Sequence, residues 1–210
     1  MRIRPTGIEI LDKLIGGFPA GSLVCLSGDP RATPEIILYQ FCETGETYYF
    51  ATEREPKYIE DEMEKLGFNA GSVKFVDVYN VRNEEYEVIS LVSSELRDAG
   101  SGVNIIMDTF AFFTKLRGYR SLFSILYEAT KEKEALCMLY VPKGMCDESA
   151  EAELTSVCDV IFDVEAERAG DKIINKLSVP KIRGLPPLMQ FVRYKITKEG
   201  IEIDTSRDIV

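Results

Sequence analysis

The chain contains no histidine, and that omission limits its chemistry. No imidazole is present to serve a serine or cysteine nucleophile as base, or to ligate a metal. General base work falls to carboxylates, lysine or tyrosine. The segment most suited to chemistry is Ser27-Gly28-Asp29-Pro30-Arg31-Ala32-Thr33-Pro34-Glu35. It follows the short apolar run Leu23–Leu26 and precedes a helical pattern. A loop so placed, between strand and helix, is where phosphates are cradled by backbone N–H groups. The five cysteines are Cys25, Cys42, Cys137, Cys146 and Cys158. Most lie among apolar residues, their number is odd and no C-x-x-C spacing occurs. That pattern predicts small core hydrophobes rather than a disulfide framework or a zinc site.

The elements that must position the loop alternate along the chain. Leu23–Leu26, Thr47–Ala51, Val73–Val78, Val103–Met107, Leu136–Val141 and Val160–Phe162 read as strands, short and apolar enough to be covered on both faces. A helix opens at Thr33-Pro34-Glu35, with Thr33 as N-cap and Pro34 at the first helical position, and runs to about Cys42. A second starts at Pro56 and stops at Gly67, with Tyr58, Ile59, Met63 and Leu66 at helical spacing. Asn83 caps a third to about Asp98, with Tyr86, Ile89, Val92 and Leu96 on one face. Others span about Ser121–Lys133 and Glu148–Cys158. The character then changes to β-strands over Lys172–Val179, Met189–Ile196 and Ile201–Ile203, the last two joined by a turn at Glu199-Gly200. The pattern predicts an α/β fold with a mostly parallel central sheet, helices on both faces and a C-terminal β extension, with Leu23–Ser27 and Val103–Met107 among the inner strands. No internal repeat or linker interrupts the chain, so residues 1–210 are expected to form one domain.

Composition narrows the partners. The 210 residues carry 25 Lys and Arg against 35 Asp and Glu, a net charge of −10, with 45% hydrophobic residues. Phosphate contacts dominate nucleic-acid affinity, so an acidic chain is a poor general nucleic-acid binder. No apolar run approaches the roughly 18 residues of a membrane span. The basic start Met1–Pro5 lacks an apolar stretch behind it, so no signal peptide and a cytoplasmic location are expected.

Several short segments, in order, carry a family resemblance. Thr6-Gly7-Ile8, Leu11-Asp12, Gly16-Gly17-Phe18-Pro19 and Gly21-Ser22-Leu23-Val24 resemble the N-terminal signature of KaiC-like proteins of the RecA superfamily, of archaeal type. Glu53-Arg54-Glu55-Pro56 is similar to that family's Glu-Glu-x-Pro segment, Met107-Asp108-Thr109 to its Walker B strand end, and Lys181-Ile182-Arg183-Gly184 to its Lys-x-Arg-Gly motif. The matches are collinear from Thr6 to Gly184. The resemblance implies a RecA-like P-loop NTPase fold. It casts Glu53 and Arg54 as the pair that activates water, Asp108 as a residue that orients Mg²⁺, and Lys181 and Arg183 as residues that reach a neighbouring subunit.

The departures from the family pattern bear on function. A working loop reads G-x-x-x-x-G-K-[ST]. Gly28 fits its first glycine, but Thr33 stands at the second, Pro34 at the lysine and Glu35 at the hydroxyl that binds Mg²⁺. Thr33 has a branched Cβ that disfavours φ > 0. Pro34 offers neither cation nor N–H, and Glu35 puts a carboxylate where an anion would bind. Losing one cation about 4 Å from a phosphate forgoes roughly 4 kcal/mol at an effective dielectric near 20, on the order of a thousandfold in affinity. Arg31 is the one cation left in the loop. The plain alternative, a well-capped helix start, leads to the same expectation of weak Mg·ATP binding at most and no obligate cofactor. Arg54 in place of the second glutamate is expected to weaken Glu53 as a base by lowering its pKa. Asp108 reads equally as a strand-end cap. Lys181 and Arg183 are subunit-interface candidates that could pair with acidic groups of a neighbour, Glu35 among them, or a solvated basic loop. Lys115, Arg117, Tyr119 and Arg120, where RecA-type proteins project loops, could contact single-stranded nucleic acid or form a charged helix start. The expected protein is a non-hydrolysing, pseudo-ATPase-type regulatory or scaffolding subunit that self-associates and binds a protein or peptide partner. The rival expectations are a weak NTPase using Asp108 and Glu53 with a rebuilt phosphate loop, and a recombinase-like nucleic-acid binder.

Overall fold

The computed structural model describes residues 2–197 and 200–204. Strand β1 (Ile3–Arg4) pairs antiparallel with β2 (Phe18–Pro19), and helix α1 (Glu9–Ile15) fills the loop between them. The main sheet has nine strands. Six of them are β3 (Ser22–Gly28), β4 (Thr47–Ala51), β5 (Val73–Asp77), β6 (Asn104–Asp108), β7 (Leu136–Pro142) and β8 (Val160–Ala169). These run parallel in the order β8-β3-β7-β6-β4-β5. Strands β9 (Lys172–Ile182), β10 (Leu188–Thr197) and β11 (Gly200–Asp204) add antiparallel beyond β8. The expected mostly parallel sheet with a β extension is therefore present, and Leu23–Ser27 and Val103–Met107 both fall on inner strands.

The helices cover both faces because the strands are apolar on both faces. On one face Val24, Leu26, Tyr49, Ala51, Ile106, Met138 and Tyr140 pack under α1, α2 (Glu35–Cys42) and α3 (Pro56–Lys65). On the other, Leu23, Cys25, Phe50, Ile105, Met107, Cys137 and Leu139 pack under α4 (Glu85–Asp98), α6 (Tyr119–Glu132) and α7 (Glu148–Val157). The short α5 (Phe110–Phe113) packs its aromatic rings on this second face. Alternation along each strand assigns one residue to each core in turn. Cys25, Cys42, Cys137 and Cys158 are buried free thiols in these cores, and Cys146 is half-buried.

Four details depart from the periodicity. The inward face of α4 is Val88, Val92 and Leu96, whereas Tyr86 is 84% exposed. Tyr58 on α3 is likewise exposed, and Ile59 and Met63 form its buried stripe. Asn83 does not cap α4, whose N-cap position is Glu84 with no side-chain bond. Strand β8 is ten residues long rather than three, because Asp163, Glu165 and Glu167 alternate with Val164 and Ala166 and only the latter face a helix layer. Of the turn expected at Glu199-Gly200, Glu199 lies outside the described residues.

A polar knot ties the amino-terminal ends of the strands together. Arg4, 7% exposed, donates to the Val103 carbonyl at 3.0 Å and to Asn104 Oδ1 at 2.6 Å. Asn104 Nδ2 in turn donates to the Phe41 carbonyl at 3.2 Å and to Thr44 Oγ1 at 2.9 Å. The phase of α4 gives a direct check on this architecture. Leu96→Ala should destabilise the fold by about 3 kcal/mol, the usual cost of emptying a buried leucine site, and Tyr86→Ala should stay within about 0.5 kcal/mol of the parent. Chemical denaturation of the two variants measures both; equal losses would mean the helix is turned the other way.

Candidate functional site

The loop after β3 is closed on itself. Pro30–Ala32 form a single 3-10 turn. Its polar groups find partners within the chain, as buried backbone donors must. Arg31 N–H donates to Asp29 Oδ1 at 2.9 Å, Ala32 N–H to the Asp29 carbonyl at 2.9 Å and Thr33 N–H to the Pro30 carbonyl at 3.3 Å. Pro34 has no N–H to offer a ligand. The Asp29 carboxylate also accepts from Arg31 Nη2 at 2.6 Å and from Nε at 3.1 Å. These charge-assisted bonds hold its pKa down at about 2. Asp29 N–H bonds the Val164 carbonyl of β8 at 3.0 Å. From β10, Tyr194 donates its hydroxyl to the Ala32 carbonyl at 2.8 Å.

Two residues of this loop behave differently from their sequence reading. Thr33 does take a left-handed conformation, with φ 51° and ψ 56°, so its branched Cβ does not prevent the glycine-like shape. The bonds on either side, Thr33 N–H to Pro30 and Ile36 N–H to the Thr33 carbonyl, hold it there against a cost on the order of 1–2 kcal/mol. Thr33 is also no N-cap, because its side chain makes no bond to the helix; the N-cap position falls on Pro34. The Pro34 ring lies over Gly28. A Cβ on Gly28 would stand 2.7 Å from Pro34 Cγ and 3.2 Å from Tyr140 Cε2. Gly28 is thus needed for the close approach of the proline, at the place where a phosphate-binding loop is open.

Beneath the loop lies a network of acids and tyrosines. Asp108, at the end of β6 and 6% exposed, accepts the Tyr49 hydroxyl at 2.6 Å. Burial pushes its carboxyl up to about 6, with Tyr49 and Arg54 opposing and Glu35 and Glu53 adding to the rise. Burial also raises the Glu35 carboxyl and the Tyr49 hydroxyl. Thr52 Oγ1 bonds the Asp108 carbonyl at 2.9 Å and accepts the Thr109 N–H at 2.7 Å. The Asp108–Thr109 peptide is cis, and the buried Thr109 hydroxyl has no partner among the described residues.

Arg54 does not pair with Glu53, contrary to expectation. It turns to α3 and α2, donating to Glu62 and, at 3.0 Å, to the Tyr39 hydroxyl, which itself reaches Glu62 at 3.2 Å. Glu53 is left exposed at the strand end. Tyr39, Tyr49, Glu62 and Tyr194 were not singled out by their spacing. Only Tyr39 carried a hint, one helical turn from Glu35 on the same face.

The basic residues sit elsewhere. Lys181 is level with Ile161 and so with Cys25, midway along β3, whereas the loop follows the carboxyl end of that strand. Lys181 Nζ donates to the carbonyls of Thr155 at 2.7 Å and Ser156 at 3.1 Å, a cation on the last turn of α7. Arg183 Nη1 lies 3.4 Å from Asp159, a buried carboxylate that also binds Lys131 at 2.6 Å and Leu23 N–H at 3.0 Å. Among Lys115, Arg117, Tyr119 and Arg120, the tyrosine is no stacking platform. Its ring is buried against Phe123 and Phe110, and its hydroxyl and Arg120 both face Glu153.

A parallel sheet with a strand–loop–helix unit at its centre and an acid at the end of β6, two strands away, places the protein among RecA-like α/β folds. Accordingly, the structure is similar to the solved KaiC-like protein PH0186 from the hyperthermophilic archaeon Pyrococcus horikoshii OT3, with a TM-score of 0.73 and 19% sequence identity over 97% of this chain and 99% of that one. Residues 3–210 match the model of the family of unknown function DUF7125, and the chain belongs to that family. No curated protein matches it. No helix among the described residues is long and apolar enough to cross a membrane.

Two outcomes test the site. Asp108 has a folded pKa near 6 against about 3.9 unfolded, so its protonated form favours folding. That stability is fully present below about pH 4 and is lost as pH rises through 6. Asp108→Asn should therefore match the parent near pH 4 and exceed it at pH 8 by up to about 3 kcal/mol, two pKa units at 1.36 kcal/mol each. Thermal melts across that range measure it, and a parallel pH dependence in both proteins would contradict the buried carboxylate. Separately, Thr33→Gly should stabilise by about 1 kcal/mol by relieving the left-handed backbone; a destabilised variant would place Thr33 at negative φ.

Proposed function

We propose that the chain is a non-hydrolysing, pseudo-ATPase-type KaiC-like protein, acting as a regulatory or scaffolding subunit through self-association and a protein or peptide partner. One observation carries the reading. The backbone donors from Arg31 to Thr33, which in a phosphate loop point at the anion, already have acceptors within the loop, and Pro34 supplies no donor. The Pro34 ring on Gly28 and the Glu35 carboxylate at the head of α2 oppose the same ligand through shape and charge. A nucleoside triphosphate with Mg²⁺ does not fit these residues, and a degenerate Walker A loop is the economical description of them.

Self-association rests on different residues. Arg183 stands level with Leu23, near the end of β3 opposite the chain's own loop, and Lys181 midway along that strand, so a loop that Arg183 serves belongs to another copy. The Arg183 guanidinium keeps 55% of its side-chain surface exposed while holding Asp159. A closed ring or an isologous dimer satisfies this arrangement.

Equilibrium binding of ATP with and without Mg²⁺ tests the nucleotide part. The parent should bind at millimolar affinity or weaker and release no phosphate. The triple change Thr33→Gly, Pro34→Lys, Glu35→Thr should gain on the order of a thousandfold, the value of the restored cation alone. Micromolar Mg·ATP binding by the parent, or turnover lost in Asp108→Asn, would establish the weak NTPase instead. Light scattering tests the assembly: a monomer at high concentration removes the interface role of Lys181 and Arg183.

A further inference from the structure

The β8–β9 hairpin continues past the end of β3. Gly28 is the last β3 residue to pair with β8, at Val164, and β8 then runs on to Ala169 beside the loop. Phe162 and Val164 are buried in the core under α2, and alternation carries Ala166 and Arg168 onto that same face. Ile173 of β9 is paired with Arg168 and shares its face. A cleft of about 370 Å³ opens there, lined by Arg31, Ala166, Arg168, Asp171, Lys172 and Ile173.

The charges in this cleft are unbalanced in an otherwise acidic chain. Three cations line it against one carboxylate, Asp171, and one of them, Arg31, is already paired with Asp29. Among the described residues neither Arg168 nor Lys172 has an ion-pair partner, and the only bond from Arg168 is Nε to the Gly170 carbonyl at 3.2 Å. Arg31 gives Nε and Nη2 to Asp29 and keeps Nη1 for another acceptor. Like charges aimed into one cleft repel, and a bound anion relieves that repulsion. Ile173, 66% exposed, adds an apolar wall beside the cations. A surface isoleucine next to two guanidinium groups suits a ligand that is charged at one end and apolar at the other.

We propose that this cleft binds a phosphorylated small molecule, with its phosphate between Arg31, Arg168 and Lys172 and its apolar part on Ile173 and Ala166. Guanidinium groups take phosphate by paired N–H bonds, and the lysine adds a point charge. None of the closed loop's N–H groups is needed, so the site is independent of nucleotide binding through that loop.

Calorimetric titration with two probes, phenyl phosphate and inorganic phosphate, at low salt and without Mg²⁺, tests the assignment. Both should bind, with phenyl phosphate the tighter. Arg168→Gln and Lys172→Gln should each weaken both probes roughly tenfold, the worth of one charge-assisted contact. Ile173→Ser should abolish the preference for phenyl phosphate and leave inorganic phosphate unchanged, an effect that general loss of charge does not produce. The triple loop change Thr33→Gly, Pro34→Lys, Glu35→Thr should leave phenyl phosphate binding as it is. Arg168, Lys172 and Ile173 are exposed hairpin residues, whereas Pro34 is buried and Glu35 half-buried, and melting curves verify that each variant is folded. Absence of binding by either probe, equal binding by the Arg168 and Lys172 variants, or phenyl phosphate binding that rises with the loop repair would overturn the proposal. These outcomes leave the pseudo-ATPase reading standing, since they involve neither ATP nor Mg²⁺.

Discussion

Backbone donors at the start of a helix need acceptors, and the rest of this molecule is arranged around where they come from. In a phosphate loop the ligand supplies them. Here the chain does, through the Asp29 carboxylate and the carbonyls of Asp29 and Pro30. The 3-10 turn over Pro30–Ala32 follows from those bonds, since each i→i+3 closure tightens the loop. The left-handed Thr33 follows in turn, because the chain must reverse between the 3-10 turn and α2. Val164 and Tyr194 then tie the closed loop to β8 and β10. A ligand that opened the loop would have to replace all of these at once.

The same closure explains how carboxylates survive beneath it. Burial raises the carboxyls of both Asp108 and Glu35, and Glu35 adds to the rise at Asp108 as Glu62 does at Glu35. Tyr49 offers Asp108 a hydrogen bond, and Arg54 offers both a counter-charge. Arg54 itself is anchored by Glu62 and Tyr39. Its replacement of a second glutamate therefore does more than remove a base. It brings a cation into a pocket that otherwise holds only acids, and it ties α2 to α3 through Glu62. A site built to activate water would need Glu53 free to accept a proton near the reacting atom. Glu53 instead stands in solvent while its neighbour serves the packing.

Much of the fold was legible because apolar runs and their terminators are local signals. The six parallel strands, the start of α3 at Pro56 and the β-rich C-terminus all follow from patterns a few residues long. Residues whose role depends on distant partners were not legible. Tyr194 meets Ala32 from 162 positions away in the chain, and nothing near either residue announces it. The α4 stripe was misphased because Tyr86 looks like a core residue by type, yet its position in the first turn places it beyond the sheet. The length of β8 was hidden by Asp163, Glu165 and Glu167, which read as loop residues until the uncovered outer face of the extension is known. The loop was half legible. Its unsuitable residue types were evident, but its closure by Asp29 and Arg31 was not, since the same two residues in an open loop could face a ligand.

Arg31 shows why closing one site bears on another. In the loop it was the one cation able to compensate for the missing lysine. The structure commits two of its nitrogens to Asp29, on the side facing the loop, and leaves the third toward the β8–β9 hairpin. Its bonds to Asp29, at 2.6 and 3.1 Å, favour this orientation over one turned to the head of α2. Loop closure thus does two things with one ion pair. It withdraws the last positive charge from the place where a nucleotide would put its phosphates, and it fixes that charge, oriented, across from Arg168 and Lys172. An anion that approaches the β8–β9 hairpin therefore meets a guanidinium already oriented by Asp29.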